Sequence, residues 1–314
     1  MYKGNKTGVV VPAYNEERFI GKVIDTIPEF VDRIIVVDDA STDGTYKVAK
    51  SHANKKTIII KHEKNEGVGA AIATGYKKAL FDGMDITVVM AGDGQMSPDE
   101  MTKLLDPIVE NKADYVKGNR LLAKDITKKF PKFRFVGNAI LTLLTKISSG
   151  YWHIMDPQNG YAAVSKSVLE TLDIESIYPR YGYCNDILVK LNVYNFRVMD
   201  VPTKPIYGEE ESGINVLRYP ATLSSLLLTR FFWRLWRKYV LLSFHPLVLF
   251  YLFGMILFPL GFLIGLEILY YRLVLGTIMG TTVILCALLI ITGLQFLLFA
   301  MFFDMESSKP LRGS

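Results

Sequence analysis

Cysteine is scarce in this 314-residue chain. Cys184 and Cys286 are the only two, and their spacing suits neither a thiolate metal site nor a dithiol couple. That excludes a disulfide-stapled scaffold and leaves a reducing compartment as the expectation. Histidine is almost as scarce: His52, His62, His153 and His245 fall outside the polar clusters expected at strand ends, and they read as structural or interfacial groups. The N-terminal stretch MYKGNKTGVVVPAYNEE lacks the apolar h-region of a signal peptide, so the front of the chain is expected not to be translocated. Internal repeats and low-complexity tracts are also missing. Charge is absent from two long stretches, Leu247–Leu266 and Leu273–Phe303, with Glu267 and Arg272 in the short connector between them. Acid is absent between Leu217 and Val240, where Arg218, Arg230, Arg234, Arg237 and Lys238 account for the whole formal net charge of +5.

These absences have a joint reading. A hydrocarbon core of ~30 Å needs roughly 20 helical residues, so the two uncharged stretches are expected to form a pair of spanning helices. Pro259 and Gly261 are expected to kink the first, which bilayers tolerate. The basic segment before the pair, with Phe231, Phe232, Trp233, Trp236 and Tyr239 among its cations, suits an anionic membrane surface rather than nucleic acid. The positive-inside tendency then places the front domain in the cytoplasm, as part of a two-helix protein of the cell membrane. A second amphipathic candidate, Phe133–Tyr151, is apolar over much of its surface and is expected to lie at the same interface.

The front of the chain alternates strand and helix signals. Thr7–Pro12, Arg33–Val37, Thr57–Lys61 and Ile86–Met90 are β-branched runs; Glu16–Ile27, Thr45–Ser51, Gly67–Leu80 and Pro98–Val109 separate them with helical spacing. This alternation predicts an α/β fold with a mostly parallel sheet. Ligands of such sheets collect at the carboxyl ends of strands, and three polar clusters fall there: Pro12–Glu17, Asp38–Thr45 and Asp93–Gln95. Within the second, Asp43-Gly44-Thr45 reads best as a helix cap.

Several of these segments together carry a resemblance. Val10-Val11-Pro12-Ala13-Tyr14-Asn15-Glu16-Glu17 and Val36-Val37-Asp38-Asp39-Ala40-Ser41-Thr42-Asp43-Gly44-Thr45 resemble the opening of family 2 glycosyltransferases with the Rossmann-like GT-A fold. Asn65-Glu66-Gly67, Gly118-Asn119-Arg120, Phe133-Arg134 with Gly137-Asn138, and Asp156-Pro157-Gln158-Asn159-Gly160-Tyr161 narrow it. With the helix pair, they resemble the polyprenyl- or dolichyl-phosphate mannose or glucose synthase type, over residues 7–303. The resemblance implies inverting transfer of one hexosyl or N-acetylhexosaminyl group from a nucleotide-sugar to a polyprenyl phosphate. Pro12, Ala13, Tyr14 and Glu16 would line the base pocket, and Asp38 and Asp39 would meet the nucleotide part. Asp93 and Gln95 would hold Mg²⁺ or Mn²⁺ against the donor diphosphate. Arg120 and Arg134 would bind the acceptor phosphate, and Asp156 would lie near the reacting centre.

A phosphate nucleophile is already ionised near neutrality, with its second pKa near ~6, so a site without a catalytic histidine is consistent with this chemistry. The chain also departs from the pattern. Ala91 replaces the first acid of the metal motif, Cys184 stands where relatives have glutamate, and Glu210, Glu211 and Gly213 occupy a loop that is basic in mannose-type relatives. These departures lean towards a UDP-sugar, with GDP-mannose the alternative. The expected organisation is a catalytic domain over 1–216, a juxtamembrane segment over 217–242, two spanning helices over 243–304 and a tail over 305–314. A processive polysaccharide synthase should carry a Q-x-x-R-W motif and more spanning helices, neither of which is present; a scaffold with a degenerate site would have Ala91 as its one support. Oligomeric state, including a homo-oligomer, stays open.

Overall fold

The computed structural model describes residues 1–121, 132–204, 206, 218–276 and 280–313; within these, the side chains of 132–136, 138 and 218 lie outside the described set. The chain forms two compact units, Met1–Phe231 with Pro310–Ser314, and Phe232–Lys309.

The first unit is built on a seven-stranded sheet. Its strands are β1 (Thr7–Ala13), β2 (Arg33–Asp38), β3 (Thr57–Lys61), β4 (Ile86–Val89), β5 (Tyr115–Asn119), β6 (Ala162–Ser165) and β7 (Val198–Pro202), in the order β3-β2-β1-β4-β6-β5-β7. Pairings β1–β2, β1–β4, β2–β3 and β5–β7 are parallel, whereas β6 runs antiparallel to both β4 and β5. Every side chain of β1 is buried, as expected of a strand covered on both faces. Alternate residues serve two cores. Val10, Ile35, Val37 and Val89 pack on one face with α3 (Val68–Phe81), and Val9, Val11, Ile34, Val36 and Val88 pack on the other with α1 (Ile20–Thr26) and α4 (Met101–Val109). The small-residue face of α3 permits a close approach to the sheet, since a Cβ at Gly75 would overlap Val10.

Helix α1 starts later than the spacing predicts. Residues 16–19 turn back instead, and the Glu16 amide donates to Thr45 Oγ1 at 2.7 Å, beside the start of α2 (Thr45–Ser51). Beyond β5 come α5 (Lys132–Ser149), α6 (Lys166–Thr171), α7 (Tyr183–Val193) and α8 (Arg218–Arg234). Helix α5 packs Leu141 against Leu223 and Leu227 of α8 while leaving Ile140 and Leu143 exposed. The C-terminal residues rejoin this unit: Leu311 is buried in the core with Tyr115 and Val198, Arg312 bridges Val198, and the Gly313 amide donates to Val198 O at 3.1 Å.

The second unit continues as a π-helical turn over Leu235–Leu242 and two helices of 29 residues each, α9 (Leu247–Leu275) and α10 (Gly280–Ser308). Both are long and apolar enough to cross a membrane. Gly254, Gly261 and Gly293 lie where the two helices press together. One buried ion pair fastens this unit. Arg234, 0 % exposed, reaches both oxygens of Asp304, also 0 % exposed, at 2.8 and 2.9 Å, and the Tyr239 hydroxyl donates to Asp304 at 2.7 Å.

Candidate active site

Backbone hydrogen bonds bring the three polar clusters to one edge. The Asp39 amide donates to Ala13 O at 2.9 Å and the Gly92 amide to Pro12 O at 3.1 Å, so the ends of β1, β2 and β4 are laced side by side. Side chains tighten the lacing: Asn15 Oδ1 accepts the Thr42 amide at 2.9 Å, and Glu17 accepts the Gly44 amide at 3.0 Å. Asp43 accepts the Thr45 amide at 3.0 Å from one residue before Gly44, the N-cap of α2, so it braces the turn into the helix without being the cap itself. Asn15 and Ala40 both adopt φ of +59°. For alanine that left-handed conformation costs roughly 1 kcal/mol, and such strain tends to gather at functional sites.

Asp38 and Asp39 part ways in this edge. Asp38 is 0 % exposed; its Oδ1 accepts the Ser41 amide at 3.1 Å, and its Oδ2 has no partner among the described residues. A buried, ionisable oxygen without a donor is costly, and it is the kind of acceptor that a base N–H or ribose hydroxyl would satisfy. Asp39 is spent internally. It accepts the Glu66 and Gly67 amides at 2.9 and 2.7 Å and meets His62 Nδ1 at 2.8 Å, while His62 Nε2 meets Thr74 Oγ1 at 3.0 Å. Pro12 and Ala13 are buried at the end of β1, Glu16 is half-buried and Tyr14 is exposed.

Asp93 and Gln95 sit on the turn after β4. Asp93 Oδ1 accepts the Gln95 amide at 2.9 Å around Gly94, whose φ is +72°. Asp93 is half-buried and Gln95 is exposed. Their oxygen donors match the hard divalent cations. No cluster of three or more His, Cys, Asp or Glu stands ready to hold a metal among the described residues.

Arg120 and Asp156 meet on the same edge, at the end of β5. Arg120 grips Asp156 through Nε and a terminal nitrogen at 2.8 and 2.9 Å, and its backbone amide adds a third bond at 3.1 Å. Asp156 is 4 % exposed, whereas the Arg120 side chain is 41 % exposed. Burial alone would push the Asp156 carboxyl up, but the Arg120 guanidinium holds it below the usual carboxylate range. Asp156 also opens a turn whose Asn159 amide returns to its carbonyl at 3.3 Å, so it is turn former and arginine partner at once. The turn abuts the β4 loop, with the Tyr161 hydroxyl donating to Ser97 O at 2.8 Å. Of the remaining positions, Cys184 is buried with Sγ 3.6 Å from Asn159 O. The Arg134 side chain and the Glu210–Gly213 loop lie outside the described residues.

Two groups near this edge escape a motif-based reading. His62 does belong to a strand-end cluster, because β3 ends at Lys61 beside β2; its position after that strand was the signal. Asp200, in β7, accepts the Met155 amide at 2.7 Å and Asn119 Nδ2 at 2.9 Å. Nothing in its local sequence marks it.

Comparison with known proteins gives the family and the fold class. The profile of the family described as Glycosyl transferase family 2 matches residues 8–173. The chain is 37 % identical over 226 residues to the UDP-N-acetylglucosamine–dolichyl-phosphate N-acetylglucosaminyltransferase of Methanococcus voltae, covering 67 % of this chain and 90 % of that one. It is 31 % identical to the polyprenol monophosphomannose synthase of Mycolicibacterium smegmatis, covering 67 % of this chain and 80 % of that one. Among solved structures, glucosyl-3-phosphoglycerate synthase of Mycobacterium tuberculosis, in complex with Mn²⁺, uridine diphosphate and phosphoglyceric acid, superposes with a TM-score of 0.54 at 20 % identity, covering 74 % of this chain and 78 % of that one. The mixed sheet is thus GT-A-like, and the chain, a glycosyltransferase, belongs to glycosyl transferase family 2.

Proposed function

We propose that this enzyme transfers a single sugar from a nucleotide-sugar, a UDP-sugar in preference to GDP-mannose, to a polyprenyl or dolichyl phosphate at a membrane face. The observation that carries this reading is that one sheet edge holds two polar groups of different chemistry: the oxygen donors Asp93 and Gln95 beyond β4, and Arg120 held by buried Asp156 beyond β5. The names of the Methanococcus and Mycolicibacterium relatives support the lipid-phosphate acceptor, and the former supports the UDP-sugar.

Asp38 Oδ2 receives a donor group of the nucleotide, with Pro12, Ala13, Tyr14 and Glu16 around it. Asp93 and Gln95 hold Mg²⁺ or Mn²⁺, which when bound would stabilise charge on the departing diphosphate. Arg120, with Arg134, holds the acceptor phosphate as a planar fork suited to its oxygens. The acceptor oxygen attacks C1 from the face opposite the diphosphate. One C–O bond forms as the other breaks, and the configuration inverts.

Helices α9 and α10 anchor the enzyme in the bilayer, being long and apolar enough to cross it. The catalytic unit is cytoplasmic on this reading. The test is a panel of UDP- and GDP-sugars offered with a short polyprenyl phosphate, with and without Mn²⁺, and NMR of the anomeric centre of the product. Transfer from one UDP-sugar with inversion is expected. No transfer from any donor, or a product of retained configuration, refutes the reading.

A further inference from the structure

The Arg120–Asp156 pair stands on a second carboxylate. Asp200 lies in β7, in register with Lys117 of β5. One of its oxygens, Oδ2, takes both of its bonds, from the Met155 amide at 2.7 Å and from Asn119 Nδ2 at 2.9 Å. Those donors flank the pair: Met155 immediately precedes Asp156, and Asn119 immediately precedes Arg120. Asn119 uses its own Oδ1 to accept the Leu121 amide at 2.9 Å, which closes the backbone around Arg120 from the other side. Lys117, fully buried, donates to Asn159 O, and Asn159 Nδ2 donates to Gly118 O at 2.7 Å, so the Asp156 turn is tied to β5 a second time.

The remaining oxygen of Asp200, Oδ1, is buried and has no partner among the described residues. Burial raises the Asp200 carboxyl above its ordinary range, although the Met155 amide and Lys117 oppose the shift. An ionised group held in such surroundings costs the fold stability while it is charged. Stability therefore does not account for this residue, whereas the two segments that its oxygen anchors do.

We propose that Asp200 is a positioning residue for the transfer reaction: through Asn119 and the Met155 amide it fixes both ends of the Arg120–Asp156 pair, and so sets where the guanidinium meets the acceptor phosphate. The inference rests on the reading that Arg120 binds that phosphate. An arginine fork recognises phosphate through geometry, and a misplacement of about 1 Å can cost ~10²-fold in rate.

The experiment uses the full-length protein in nanodiscs, with the nucleotide-sugar identified by the panel and a short polyprenyl phosphate as acceptor. Asp200→Ala is expected to lower acceptor kcat/KM by roughly ten- to a hundredfold and to leave donor KM near the wild-type value. Asp200→Asn is expected to recover most of the loss, because its amide oxygen can accept from both Met155 and Asn119. Asp200→Ala placed in an Arg120→Ala background is expected to add little, since the two act as one unit. If Asp200→Ala does not fold, Asn119→Ala cuts the same link and carries the same expectation. Equal losses for donor and acceptor, full additivity with Arg120→Ala, or normal acceptor kinetics in Asp200→Ala overturns the inference. If Arg120→Ala impairs the acceptor side and Asp200→Ala does not, only this inference fails. If both are normal, the acceptor role of Arg120 fails, and this inference falls with it.

Discussion

The substitution Asp38→Asn is expected to move binding and stability in opposite directions. Oδ1 stays to accept the Ser41 amide, found at 3.1 Å, while the unpartnered Oδ2 becomes an NH₂ group. A nucleotide donor group that met a carboxylate oxygen would then meet another donor. Losing a hydrogen bond to a charged group costs about 1.5–3 kcal/mol, which raises the donor Kd roughly ten- to a hundredfold. The unliganded protein experiences the reverse. A charged oxygen without a partner, on a side chain 0 % exposed, carries at least about 1–3 kcal/mol of desolvation cost. The amide carries a smaller one, so a net gain of about 0–2 kcal/mol is expected. For a unit of this size that holds Tm or raises it by up to several degrees, at ~2–4 °C per kcal/mol. Ligand then separates the proteins: at ~100 Kd the wild type gains about 2.7 kcal/mol by linkage, and the variant at the same concentration about 0.4–1.4. Thermal scans with and without UDP, and in parallel GDP, read both effects. A large fall in Tm without ligand would mean that the buried oxygen has a stabilising partner. An unchanged nucleotide shift would mean that Asp38 does not meet the nucleotide.

Asp93→Ala is expected to lose ~10²–10³ in kcat and its response to added Mn²⁺, because the electrostatic support of the leaving diphosphate is gone; full turnover of the wild type in excess chelator refutes this role. Asp156 has its folded-state pKa lowered, so its contribution to stability is present above the ordinary carboxylate pKa near ~3.9 and is lost as pH falls through the lower folded value. The stability gap between wild type and Asp156→Asn, followed by denaturation, should stay constant from pH 7 to about pH 5 and close only below about pH 4; a gap closing near neutrality contradicts the pairing with Arg120. In the second unit, Asp304→Ala should be more damaging than Arg234→Ala. Burial and Arg234 together push Lys238 down to about 7, so once Arg234 is removed Lys238 can recover its charge and offset Asp304. Removing Asp304 leaves the buried Arg234 guanidinium without its carboxylate, at about 3–5 kcal/mol; equal losses of melting temperature in detergent refute the compensation.

The sequence speaks clearly where structure is local. β1 to β4 and the helices between them follow from β-branched runs and helical spacing; β3 has the bounds that the pattern predicts, and α2 begins at Thr45 as it predicts. Strand-end clustering also foretells which residues share an edge, since parallel strands put their carboxyl ends together. What the pattern does not reveal depends on distant partners. The antiparallel insertion of β6 between β4 and β5 is a pairing choice that alternation cannot encode. Asp39 looks equivalent to Asp38, yet the turn after β2 sends one oxygen into an unpartnered position and commits the other carboxylate to the 62–67 segment. Asp200 and Asp304 matter through groups many residues away, which no motif announces.

The return of the chain at Pro310 has a topological consequence. A folded unit occupies one aqueous side of a bilayer. The catalytic unit includes residues on both flanks of the apolar helices: Phe231 before them and Leu311, buried among Tyr115 and Val198, after them. Whatever the chain does between these points, it must cross the bilayer an even number of times. This parity is enforced by a short tail at the edge of β7, independently of hydropathy or of basic residues in loops. Lengthening α9 or α10 can change tilt without changing sides. Inserting a third apolar segment of spanning length would set membrane insertion against completion of the sheet, and one of the two would have to yield.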